Sequence, residues 1–150
     1  MMYLFLDYLE VLLVALLICI FCDVEQKNRY CLISSVISFL VMEFMQTYDL
    51  FGNEMAYAIT IINFIIVSVM KKEIKFYNFI PCIFSQWISV FTSTIVLFFF
   101  KVITNYNIEN IIKLYRIPII FLARILFFAL IVVLNYFKSK IKNTIIEKNK

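Results

Sequence analysis

Four ionisable side chains interrupt otherwise apolar stretches: Asp7 and Glu10 in MMYLFLDYLEVLLVALLICIFC, Glu43 in ISFLVMEFMQTY, and Arg124 in IPIIFLARILFFALIVVLNYF. A charge in such surroundings is costly, so it faces a partner, a water-filled space or a ligand. One guanidinium with two or three carboxylates can hold an anionic ligand or tie helices together. It offers little to a catalyst. The chain has no histidine, which removes the imidazole base, the histidine metal ligand and the phospho-accepting histidine. Cys19 and Cys22 form a C-x-x-C, and Cys31 and Cys82 complete the set. A thiol nucleophile needs an activating base that these apolar contexts do not supply. No catalytic residue, metal or cofactor is therefore expected, and the cysteines read as small apolar filler rather than as a thiolate cluster.

The elements that position these groups follow from composition. Of 150 residues, 64% are hydrophobic and the mean hydropathy is +0.95. A soluble domain of this length needs more polar residues to cover its surface. The apolar residues fall in blocks near the ~20 needed to cross ~30 Å of hydrocarbon. Long apolar runs such as 11–21 and 117–134, the second interrupted only at Arg124, exclude the alternating pattern of a β-barrel. The expected fold is all-α, a polytopic membrane helix bundle of about five transmembrane helices. The single glycine, Gly52, leaves no phosphate-cradling loop and no GxxxG packing face. The acidic start, with Asp7 and Glu10 and no small-residue cleavage site, does not read as a signal peptide.

Five spans are expected, over residues 4–22, 31–48, 55–70, 77–100 and 117–137, so that 1–137 forms the bundle and 138–150 a basic tail. The first and third connectors and the tail carry ten Lys and Arg, against three in the fourth connector and none in the second. The excess marks the cytoplasmic side, with the N-terminus outside and the C-terminus inside. The tail's lysines then contact anionic lipid, and no nucleic-acid partner is expected. Residues 107–115 suit a short surface helix with Ile108, Ile111, Ile112 and Tyr115 toward lipid. Within the spans, Asn63 and the Gln86, Ser89, Ser93 face suit interhelical hydrogen bonding. Trp87 is too deep for the interfacial belt and suits packing.

With this direction Glu10, Glu43 and Arg124 all lie roughly 7–11 Å below the outer boundary, at 1.5 Å per residue. That common depth permits Arg124 to pair with Glu43 or Glu10, rimmed by Asp7, Gln46 and Tyr48. Two readings stand side by side. Glu10, Glu43, Arg124 and Gln46 form an outward ligand-binding pocket, or Arg124 and Glu10 snorkel to the interface or make one structural ion pair.

The acidic start, the first span DYLEVLLVALLICIF with its early glutamate, and the last-span stretch ARILFFALIVVLNYFKSK, in which Ala123 and Arg124 precede the apolar run and lysines end it, carry a resemblance. The chain resembles the N-terminal transmembrane sensor domain of GHKL-type sensor histidine kinases, the accessory-gene-regulator receptor group of Gram-positive bacteria. The resemblance implies quorum sensing through a two-component system, an extracellular signalling peptide as partner, and a homodimer joined through a helix following the last span. The sequence departs from that family where the phospho-accepting histidine would stand, so a sensor part lacking the kinase half is expected. A small bacteriocin-immunity or transport-related multi-pass membrane protein is the alternative, and a neighbouring kinase or bacteriocin gene would separate the two.

Overall fold

The structure is a computed structural model and describes residues 2–48 and 53–148. Residues 49–52 of the expected second connector, Gly52 among them, and the last lysine, Lys150, lie outside the described residues, while Asn53 and Glu54 of that connector open the third helix. Five helices follow one another: α1 (Met2–Cys22), α2 (Lys27–Thr47), α3 (Asn53–Lys71), α4 (Phe79–Thr104) and α5 (Ile108–Lys148). A single 3-10 turn at Phe76–Asn78 precedes α4, and no strand occurs among the described residues. All five helices are long and apolar enough to cross a membrane.

Helices are the form these apolar runs must take, because hydrocarbon offers backbone groups no other partner. Hydroxyls within the runs satisfy themselves on the same helix: Thr60 bonds the Ala56 carbonyl, Ser85 that of Pro81, and Thr94 that of Val90. Pro81 falls in the first turn of α4, where a missing N–H leaves no bond unmade. α1, α3 and α4 are each followed by a residue with positive φ, at Asp23, Lys72 and Asn105. After α3, Lys72 N–H bonds Val69 O and Glu73 N–H bonds Ser68 O, the paired bonds of a Schellman ending.

We call the end at which α1 begins the upper end and the opposite end the lower. α1, α3 and α5 run from upper to lower, and α2 and α4 return. Neighbours pack in a closed ring, α1 on α2, α2 on α3, α3 on α4, α4 on α5 and α5 on α1, with α4 also reaching α1. α1 is the most buried helix, and Leu13, Val14, Leu17 and Ile18 form the centre of the main apolar core. The remaining interfaces are lined by small and polar residues: Ser34, Ser35, Ser38, Ser85, Ser89 and Thr92 are all buried. Large apolar side chains such as Phe91, Phe98 and Phe128 face outward. Polar interfaces with apolar exteriors are how helices associate in lipid.

α5 is interrupted. Tyr115 leaves helical geometry at φ −120° and ψ 17°, three residues ahead of Pro118, whose ring removes a helical hydrogen bond. The short leading helix agrees with the one expected over 107–115, but its orientation does not. Ile111 is fully buried against Val96, Ile119 and Ala123, and Tyr115 packs on Phe100, so of the four only Ile108 and Ile112 are exposed. Trp87 is also corrected. It is 68% exposed on the outer face of α4, because its helical position, not its depth, turns it away from the core. Beyond Tyr115, residues 116–148 make about 50 Å of helix at 1.5 Å per residue, longer than a ~30 Å hydrocarbon core. The basic tail, in its described part, therefore continues α5 as helix rather than starting a new segment.

Candidate functional site

Glu10 stands on the face of α1 that meets α4 and α5. Its Oε2 accepts from Nη2 of Arg124 on α5, and its Oε1 accepts from the Ser89 hydroxyl on α4. One carboxylate thus joins three helices. The Arg124 side chain is 7% exposed and that of Glu10 26%, so the pair opens toward the surface on the carboxylate side. Ala123 and Phe127, beside Arg124 and about one turn below it on α5, are both fully buried. Among the described residues, Arg124 Nε and Nη1 are buried without a protein partner, as is Oε1 of Glu43. A guanidinium bound through one nitrogen keeps donors for a second oxyanion, such as a carboxylate.

Of the four candidate ligand-binding residues, the structure brings Glu10 and Arg124 together. Glu43 and Gln46, both half-buried on α2, make no hydrogen bond to either among the described residues. Asp7 lies within electrostatic reach of Glu10, Glu43, Arg124 and Arg116, which keeps all these charges in one upper region. Tyr48 is exposed and stacks on Phe44 at 4.9 Å between ring centroids. Arg116 sits 5.0 Å over the Tyr3 ring, a cation–π contact that ties the start of α1 to α5.

Mid-bundle, the expectation for Asn63 is met by a closed polar network between α2 and α3. Its Oδ1 accepts from Tyr30, at 3.0 Å, and from Ser34, while its Nδ2 donates to Ser38 at 3.2 Å and to the Ile59 carbonyl at 2.9 Å. Tyr30 had no signal of its own, lying between a charged connector and an apolar run. Ser34 and Ser38, one turn apart, were the visible half of the network.

A second tie between α1 and α5 escaped the sequence. Lys138 Nζ bonds Asp23 Oδ1 at 2.7 Å and the Ile20 carbonyl, and Lys71 Nζ bonds the Cys22 carbonyl at 3.0 Å. Two lysines from α5 and α3 thereby close the negative end of α1. The Lys138 hydrogen bond holds the Asp23 carboxyl below its usual range, with Lys142 and Lys27 adding to the effect. A depressed carboxyl contributes stability that is present above its unfolded value and lost as pH falls through the folded one. Melting of the wild type should therefore drop slightly in acid, below about pH 4. Asp23→Asn should remove that step in a pH series of thermal melts. The effect is small because the Asp23 side chain is 73% exposed.

The C-x-x-C splits between two neighbours. Cys19 Sγ is 3.4 Å from Cys31 Sγ on α2, while Cys22 and Cys82 both point at the Asn78 carbonyl, at 4.0 and 3.3 Å. All four thiols are free and buried in the main core. A membrane-permeant thiol oxidant should accordingly link Cys19 to Cys31 ahead of any other pair. Loss of the intramolecular link in Cys19→Ser and Cys31→Ser, and its survival in Cys22→Ser, is the expected result by mass mapping.

No family model, curated protein or solved structure matches the chain. Function therefore has to be argued from the helix arrangement and its polar ties.

Proposed function

We propose that this chain is a multi-pass sensor-like domain of a bacterial cell membrane, with the N-terminus outside and the C-terminus cytoplasmic. It is the peptide-sensing part of a two-component histidine kinase. The observation that carries the reading is the Glu10–Arg124 bridge, which couples the first helix to the one that leaves the bundle as a long basic helix. The orientation rests on the ten-to-three distribution of Lys and Arg. In this reading an extracellular signalling peptide presents a carboxylate to Arg124, competes with Glu10, and frees α5 to shift against α1. A ligand moves such an equilibrium only by its differential affinity for the two arrangements, and exchange of one carboxylate for another supplies that difference. A second copy of the chain joins through the lower part of α5.

The test is a fusion of the whole chain, through α5, to the catalytic half of a histidine kinase, read as autophosphorylation in membranes. Glu10→Gln should change basal output without any peptide, and Arg124→Leu should abolish a response to conditioned medium that Arg124→Lys partly keeps. Output indifferent to all three substitutions contradicts the sensor reading. If expression of the same chain instead protects cells from a pore-forming peptide, the immunity reading replaces it.

A further inference from the structure

At the lower end, α2 and α3 border a cavity of about 800 Å³. Its walls are two stripes: Arg29, Ile33 and Ile37 one turn apart on α2, and Ile65 and Val69 on α3 with Lys72 just past its end. Because the helices are antiparallel, both stripes place their cation at the lower end and their apolar residues deeper, over about 12 Å at 1.5 Å per residue. Ile66 and Met70 line the same space and also pack against the core. The opening is mixed in charge but not balanced. Asp23 is held by Lys138, and Lys71 is engaged with Cys22 O and Glu73, which leaves Arg29 and Lys72 against Glu25. Arg29 is turned only to Gln26, at 3.4 Å, and Lys72 makes no ion pair among the described residues.

We infer that this groove binds one anionic glycerophospholipid from the leaflet at the lower end. Its phosphodiester lies between Arg29 and Lys72, and one acyl chain lies along Ile33, Ile37, Ile65 and Val69. A cation pair at the mouth of an apolar channel matches the two-part chemistry of such a lipid, and Glu25 disfavours headgroups of high negative charge. The Asn63 network ties α2 to α3 alongside the channel, at the level of Tyr30 to Ser38. The site is independent of the Glu10–Arg124 region, so it stands or falls apart from the sensor reading.

The experiment uses the purified full chain and native mass spectrometry from detergent micelles doped with phosphatidylglycerol or phosphatidylcholine of identical acyl chains, with inorganic phosphate as a third arm. One phosphatidylglycerol should remain bound, and Arg29→Gln with Lys72→Gln should lower its retention by about tenfold or more. Arg29→Lys should preserve most of it. Val69→Trp, which fills the channel and leaves both cations, should also lower it. A thermal melt of each variant identifies any that does not fold, and the remaining ones decide. Equal retention of both lipids by wild type and double variant would mean non-specific surrounding lipid and overturn the inference. Phosphate displacing the lipid fully would reduce the site to a headgroup contact and overturn the acyl-channel half of it.

Discussion

Glu10→Leu is expected to destabilise the bundle by about 3 kcal/mol and Arg124→Leu by about 2 kcal/mol, although each removes one half of the same pair. The asymmetry comes from what is left behind. Without Glu10, Arg124 keeps a charge it cannot lose, on a side chain only 7% exposed and with Nε and Nη1 already unpartnered. Without Arg124, Glu10 keeps its bond from Ser89 and meets solvent on its exposed quarter. Both values are set above the ~0.6 kcal/mol average of polar contacts in membrane proteins because a buried ion loses its counter-ion, and below the extreme of ~5 kcal/mol because the site is partly open. The double substitution should cost clearly less than the sum, with a coupling of about 1–2 kcal/mol. Equilibrium unfolding of the four proteins in bicelles measures the cycle.

Asn63→Leu is the second large effect, expected at about 2–3 kcal/mol. It removes the shared acceptor of Tyr30 and Ser34 and the donor to Ser38, all inside the α2–α3 interface. The serines have an escape, since each can rotate onto the carbonyl one turn back on its own helix. Tyr30 is fully buried, and its hydroxyl would be left with the neighbouring Ser34 hydroxyl in place of the amide. Tyr30→Phe should thus cost only about 1 kcal/mol, and Tyr30→Phe combined with Asn63→Leu should recover part of the loss. A loss in Asn63→Leu no greater than that of an exposed control such as Val90→Ala would contradict the network.

These cases show what the sequence could and could not display. Hydropathy marked all five spans, because a continuous apolar run satisfies its backbone inside lipid as a helix, but it marked crossings rather than helix ends. α2 begins at Lys27, ahead of the apolar run at 31, and α5 runs on through the lysines to Lys148. Depth was legible as well: one residue rise per position was enough to bring Glu10, Glu43 and Arg124 level. Azimuth was not. Which carboxylate faces Arg124 depends on α5 lying beside α1, a property of the packed ring that no single helix encodes. The same gap explains Trp87, judged by depth and found facing outward, and Ile111, expected in lipid and found in a core. Lys138 and Asp23, 115 residues apart, each read as an ordinary surface charge until the ring put them together.

The central claim is that Arg124 of α5 is bound by Glu10 of α1 and not by Glu43. Solid-state NMR on membrane-embedded protein carrying 15N-arginine and 13Cδ-glutamate tests it directly, through dipolar dephasing between guanidinium and carboxylate. Ion-paired groups lie within about 4 Å and give strong dephasing. The predicted result is a strong contact that vanishes in Glu10→Gln and persists in Glu43→Gln. A contact that persists in Glu10→Gln and vanishes in Glu43→Gln, or no contact at all, would contradict the account.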